Sequence, residues 1–267
     1  MSELRTNDLW TQLRHFTRAR IGLGRSGSSL PTAALLDFTL AHAQARDAVH
    51  KLLPADELMS NLRGQGFHDP VLVQSRARDR MQFLLRPDLG RQLDDMSHNT
   101  LADLPTGYDI VFVVCDGLSS IAPMRHAIPL LHAVLPQLDG WKVAPVVVAT
   151  QARVALGDQI GELLRAQIAV VLIGERPGLT APDSLGIYLT WDPKTGRTDA
   201  ERNCVSNVRP EGLPYDEAAR RITYLMWEAR RLKQSGVALK DDSEIVIRTV
   251  KGETTLSISP NAPSTRP

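Results

Sequence analysis

The hydrophobic rhythm of the chain changes near Pro105. Before it, apolar residues recur mostly at helical spacing. After it, they gather into short unbroken runs separated by helix-like stretches. Leu4, Leu9, Leu13 and Phe16 sit near helical spacing, which predicts a charged amphipathic helix over residues 3–20. A loop follows, Gly22-Leu-Gly24-Arg-Ser-Gly27-Ser-Ser29. A second helix then runs through Leu35, Leu36, Phe38, Leu40 and Ala43 to Lys51. Pro31 suits its first turn, and either Ser29 or Thr32 is a suitable cap. Short helices are expected over 55–64 and 88–96, with a strand pair at Val71–Gln74 and Gln82–Leu85.

Tyr108–Cys115 is rich in Val and Ile and ends in Asp116-Gly117, the pattern of a strand buried on both faces. A helix over 123–138, a strand over Val143–Ala149, a helix over Leu156–Ala166 and a strand over Ile168–Ile173 follow. Strand, helix, strand, helix, strand predicts an open α/β domain with a mainly parallel sheet and right-handed crossovers. Gly186–Trp191 reads as another strand and Pro214–Gln234 as a closing helix with Gly236 as its C-cap. Beyond Lys240, Glu244–Val250 is strand-like, and the Ser, Pro and Asn that follow predict disorder.

Composition narrows the function classes. Apolar residues form 43% of the 267, enough for a sizeable core. Lys and Arg total 31 against 30 acidic residues, a balance with no electrostatic footprint for nucleic acid. The N-terminus lacks an apolar signal region, and no run approaches the ~20 residues of a membrane span. Two cysteines, Cys115 and Cys204, fit a reducing cytoplasm better than a disulfide framework. The seven histidines never form H-x-x-x-H or H-E-x-x-H, which argues against a built-in catalytic metal.

Gly22, Gly24 and Gly27 match G-x-G-x-x-G, with Asp47 about 20 residues on. A nicotinamide site needs a buried strand just before the first glycine. What precedes it is the charged end of a helix, so a flexible loop or an anion contact near Arg25 competes with that reading. In open α/β sheets, ligands sit beyond the carboxyl ends of strands. Here those ends are Asp116–Ser119, Thr150–Val154 and Gly174–Gly178, where glycine permits close approach of a ligand. Glu175 offers two acceptor oxygens, or else pairs with Arg176 or Arg153 and closes a turn. Cys204 lies between the fourth strand and the last helix, with no histidine nearby to activate it. No Gly-x-Ser-x-Gly elbow or Walker loop occurs.

Longer strings carry a resemblance. Ala19-Arg-Ile-Gly-Leu-Gly-Arg-Ser-Gly-Ser-Ser-Leu-Pro-Thr32 is followed by Leu36-Asp-Phe-Thr-Leu-Ala-His-Ala-Gln-Ala-Arg-Asp-Ala-Val-His50. Further on come Gly157-Asp-Gln-Ile-Gly-Glu162, Ile173-Gly-Glu-Arg-Pro-Gly-Leu179 and Arg202-Asn-Cys-Val-Ser-Asn207. In this order they resemble the small (light) subunit of ethanolamine ammonia-lyase, over roughly residues 15–240. The resemblance implies an adenosylcobalamin-dependent lyase that converts ethanolamine to acetaldehyde and ammonia. A large barrel subunit would carry the substrate and most catalytic groups, and this chain would hold the cobalamin against it.

The resemblance places cofactor contacts at Val154, Glu175 and Cys204, and no catalytic residue on this chain. It implies a mainly helical N-terminal region (1–104) that meets the large subunit, a Rossmann-like cobalamin-binding domain (105–240) and a tail (241–267). No histidine has Asp two places before it, so the Asp-x-His-x-x-Gly motif is missing. The cofactor is therefore expected to stay base-on. Targeting to a bacterial microcompartment is a family-level expectation that no stretch of the sequence displays. The competing readings are a structural or targeting partner of the large subunit, and a nicotinamide-dependent oxidoreductase.

Overall fold

Ile110–Cys115 (β2) is the spine of the molecule, all six residues buried. Val111, Val113 and Cys115 point into one apolar cluster, and Ile110, Phe112 and Val114 into another. Side chains alternate across a strand, so a run apolar at every position must be covered on both faces. The computed structural model describes residues 9–17, 19–243, 248–250 and 253–255.

The N-terminal part contributes α1 (Leu9–Arg14), α2 (Thr32–His50), α3 (Ala55–Gly64), β1 (Val71–Gln74), α4 (Arg80–Leu85) and α5 (Asp95–Ala102). After β2 come α6 (Ile121–Val134), β3 (Val147–Thr150), α7 (Leu156–Leu163) and β4 (Ile168–Gly174). Then follow β5 (Leu185–Trp191), β6 (Arg202–Val208) and α8 (Tyr215–Leu232). The six strands form one sheet in the order β1-β3-β2-β4-β5-β6. The pairings β1/β3, β3/β2 and β2/β4 are parallel, while β4/β5 and β5/β6 are antiparallel. The protein is thus mixed α/β with a mostly parallel sheet. Helices α3, α6 and α8 cover one face and α5 and α7 the other.

Several expectations need correction. Among the described residues, helix 3–20 shrinks to Leu9–Arg14, and residues 3–8 lie outside the description. The chain turns back on α1, so that a Cβ at Gly22 would meet Trp10 at 2.4 Å. Neither Ser29 nor Thr32 caps α2; Pro31 occupies the cap position with no side-chain bond. Gln82–Leu85 is not a strand but part of α4, because the Asp79 carboxylate accepts a hydrogen bond from Gln82 N at 2.8 Å and starts a helix there. The helix expected over 88–96 is a short turn at Leu89–Arg91, then α5 capped by Asp94. Strand β3 begins only at Val147; Pro145 has no N–H to give a ladder, and Val143 forms one isolated bridge.

The largest omission is β6. Arg202–Val208 is an edge strand, so Cys204 lies on a strand and not on a loop. Helix α8 ends at Leu232 and is capped by Lys233, which takes the left-handed conformation (φ 54°); Gly236 is not its cap. Gly236 is instead packed where a Cβ would collide with the Ala200 carbonyl. Of the strand-like 244–250, Arg248–Val250 (β7) pairs with Glu253–Thr255 (β8), and 244–247 lie outside the description, as does the 256–267 tail. Among the described residues, no helix is long and apolar enough to cross a membrane.

Candidate functional site

The parallel strands β2, β3 and β4 deliver their carboxyl ends to one edge of the sheet, where their loops are tied together. Asp116, directly after β2, is fully buried. Its carboxylate accepts hydrogen bonds from Gln151 N and Ala152 N, both 2.9 Å, on the loop after β3. Arg80 of α4 donates to the same carboxylate at 3.2 Å and to the Gly117 carbonyl at 2.9 Å. Burial pushes the Asp116 carboxyl above its ordinary range, against the backbone bonds and Arg80 that favour its charge.

The loop after β4 is held against the loop after β2. Leu118 N donates to the Gly174 carbonyl at 2.9 Å, and Ser119 Oγ donates to the Pro182 carbonyl at 2.7 Å. A Cβ on Gly174 would lie 1.9 Å from the Ser119 carbonyl oxygen, and one on Gly117 would lie 2.3 Å from the Gly174 carbonyl oxygen. These glycines were expected to admit a ligand. They admit each other's loops instead.

Between the loops lies a cleft of about 360 Å³. Leu118 walls it from the first loop, Arg153 and Val154 from the second, Glu175 and Arg176 from the third, and Tyr188 from β5. Val154 and Glu175 therefore share one cleft. Cys204 on β6 is the direct cross-strand neighbour of Tyr188. Cys204 is exposed at the sheet edge. Desolvation by its immediate neighbours and the nearby Glu175 charge push its pKa up, outweighing the Tyr188 hydroxyl. A protonated thiol is a poor nucleophile. Burial, and then Cys204, likewise push the Tyr188 phenol above its ordinary range.

Glu175 does not close a turn by pairing with Arg176 or Arg153. Its carboxylate accepts from the hydroxyls of Ser184 and Ser206, the latter at 2.5 Å, and from Asn207 N at 3.3 Å. Ser206 and Asn207 reach it because β6 carries a bulge: Ile187 pairs with Val205, yet Leu185 pairs with Val208. A bulge re-aims side chains in this way, and Asn207 takes a left-handed backbone (φ 61°) within it. None of these three partners was singled out from sequence. The extra residue removes the alternation that would have marked β6 as a strand.

On the same face of the sheet as Tyr188 and Cys204, Arg202 at the start of β6 makes a bidentate pair with Asp158 of α7, at 2.6 and 2.7 Å. The Gly22, Gly24, Gly27 loop lies between α1 and α2, and among the described residues no strand precedes it, which removes the structural context of a dinucleotide turn. Asp47 sits inside α2.

The fold and the cleft define a mixed α/β protein with a ligand-sized groove at the carboxyl ends of parallel strands. Residues 7–240 match the family model of the ethanolamine ammonia-lyase light chain. The chain is 54% identical to the ethanolamine ammonia-lyase small subunit of Azotobacter vinelandii over 246 residues, 90% of this chain and 91% of that one. It is 53% identical to the small subunit of Pseudomonas aeruginosa over 252 residues, covering 91% and 90% of the two chains. Against the small subunit of Ralstonia nicotianae it is 53% identical over 246 residues, covering 90% and 91%. The chain belongs to the ethanolamine ammonia-lyase small-subunit family.

Proposed function

We propose that the chain holds adenosylcobalamin, base-on, against the large subunit of an ethanolamine ammonia-lyase, and that it is inactive alone. The observation that carries this reading is convergence. Val154 and Glu175 wall one cleft, and Cys204 adjoins Tyr188 of the same wall. The donor set suits a corrinoid, a large ligand rimmed with amides. A carboxylate has about four acceptor positions, and the bonds from Ser184, Ser206 and Asn207 leave Glu175 capacity for a ligand amide or ribose hydroxyl. Val154, Cys204 and the Tyr188 ring offer apolar surface to the ring system. The sheet would act as a Rossmann-like support.

When bound, the cofactor supplies the radical chemistry of the conversion of ethanolamine to acetaldehyde and ammonia. The chain's own residues position and shield it. Glu175 orients its edge, and the loops tied by Asp116 keep the groove open in one shape. Glu175→Ala is expected to weaken cobalamin binding by about 10-fold in the assembled complex, the scale of a lost hydrogen bond to a charged group. Equilibrium dialysis with both subunits tests this. Unchanged affinity would remove Glu175 from the site. Ammonia release by this chain alone, the large subunit alone and the mixture tests the division of labour.

A second reading has its own support. Helix α2 exposes Leu35, Leu36, Phe38 and Leu40, and of its 19 residues only Ala41 and Ala48 are buried. An apolar surface of that kind suits a protein partner. In the first reading it belongs to residues 1–104 and meets the large subunit. In the second, the chain is mainly a structural partner, or carries the enzyme into a microcompartment. A large subunit fully active without this chain would favour the second.

A further inference from the structure

Arg153 is an anchored cation of the cleft, and among the described residues no carboxylate forms an ion pair with it. Its backbone N donates to the Gly90 carbonyl at 2.8 Å. A Cβ on Gly90 would stand 3.0 Å from the Arg153 Cγ, so the bare glycine makes room for the arginine stem. Its guanidinium lies 4.2 Å from the centre of the Phe83 ring. Arg80 lies against the same ring at 4.8 Å. Arg80 is spent on Asp116; among the described residues, neither Arg153 nor Arg176 forms an ion pair with a carboxylate.

A rigid guanidinium without a counter-ion on a ligand cleft is an arrangement suited to binding an anion. Its planar fork matches the oxygens of a phosphate or carboxylate, and holding it in advance reduces the entropy lost on binding. The surroundings add to the demand for negative charge. Burial, then the positive charges of Arg80, Arg91 and Arg176, hold the Arg153 guanidinium below its ordinary pKa against the pull of Asp116.

We infer that Arg153, assisted by Arg176, binds the phosphodiester of the cobalamin nucleotide tail. The inference rests on the cobalamin-holding reading. It follows from the ligand's chemistry: the peripheral amides are neutral, and the phosphodiester is the peripheral group with a full negative charge. Glu175 and Arg153 would then divide the recognition, one accepting from neutral donors and the other donating to the anion.

Cobinamide and cobinamide phosphate differ by the phosphate alone, so their affinities for the assembled two-subunit complex isolate it. The wild-type complex should bind cobinamide phosphate about 10-fold more tightly, the scale of a charge-assisted bond. Arg153→Gln should close most of that gap and leave cobinamide within about 2-fold of wild type. Arg153→Lys, which keeps the charge but loses the fork, should restore part of the gap. An unchanged gap in Arg153→Gln, or equal weakening of both ligands, would overturn the assignment in favour of a purely structural stack on Phe83. A wild-type complex that binds both corrinoids equally defeats this inference alone. One that binds neither defeats the cobalamin reading and this inference with it.

Discussion

Asp116 and Arg80 meet 3.2 Å apart in the interior, with side chains 0% and 7% exposed. The pair stands at the junction of four segments. Asp116 holds the Gln151 and Ala152 amides after β3, and Arg80 reaches Gly117 after β2 and the Val49 carbonyl at the end of α2, at 2.6 Å. Burial opposes both charges, lifting the Asp116 carboxyl and lowering the Arg80 guanidinium. The pair persists because each charge is hydrogen-bonded to backbone as well as to its partner.

Removing one member should therefore be worse than removing both. Asp116→Asn leaves the Arg80 cation buried without a counter-ion, and should cost about 3–5 kcal/mol. The double variant Asp116→Asn/Arg80→Met should cost clearly less than the sum of the two single changes. Urea unfolding of the four proteins measures this. Strict additivity would mean that the two residues are not coupled as the geometry requires.

The contact between the loops after β2 and β4 gives a second prediction. Gly174→Ala places a methyl group 1.9 Å from the Ser119 carbonyl oxygen and 2.6 Å from that of Asp116, backbone atoms that cannot rotate away. A loss of about 2–3 kcal/mol is expected from overpacking at so tight a site. Gly64→Ala is the matched control. It closes α3 in open space without a positive φ, and should stabilise the protein by up to about 1 kcal/mol. Thermal unfolding of the two variants should move in opposite directions. A neutral Gly174→Ala would show that these loops are looser than the close approach implies.

These particulars mark what the sequence could convey. Strands β2 and β4 were legible because unbroken β-branched runs have few structural alternatives, and the loops after them followed from that. Val154 and Glu175 were placed by resemblance, and both also by their position after a strand. What remained hidden was non-local. Asp79 looked like any loop aspartate until Gln82 N was seen on its carboxylate. The bulge in β6 broke the period that would have revealed the strand, and with it the partners Ser206 and Asn207. The glycine pattern at Gly22 suggested a dinucleotide turn, yet three positive-φ glycines serve equally well between two helices.

Edge strand β6 is secured by the Asp158–Arg202 pair, whose two bonds of 2.6 and 2.7 Å are joined by one from Arg202 to Thr190 Oγ1 at 2.9 Å. Burial lifts the Asp158 carboxyl, whereas Asp158 holds the Arg202 guanidinium up against burial. The two directions disagree on whether the charges are favoured. The bidentate geometry supports the ionised pair. Arg202→Lys keeps the charge but loses the fork, and should cost about 2 kcal/mol or more. Amide exchange should accelerate in β6 before the central strand β4, since an edge opens locally. Uniform acceleration across the sheet would contradict a local anchoring role.

His126 supplies a pH prediction. Its Nδ1 lies 2.7 Å from the Tyr215 hydroxyl of α8, and its Nε2 lies 3.5 Å from Asp183, which also pairs with Arg125 and Arg209. Burial holds the imidazole below the ordinary histidine range, despite the pull of Asp183. The native state thus favours neutral His126, and the unfolded chain binds the extra proton first as pH falls. Stability is fully present above about pH 6.5 and is lost as pH drops through that value, until the native imidazole itself protonates. Asp183 behaves differently. Burial raises its carboxyl, but Arg125, His126 and Arg209 together bring it below the usual range, so its contribution is lost only at lower pH. Wild type should therefore lose more stability than His126→Gln between pH 7.5 and pH 5.5, as read by urea unfolding at each pH. Equal losses, or an imidazole that titrates above the ordinary range by NMR, would show that Asp183 outweighs burial at this histidine.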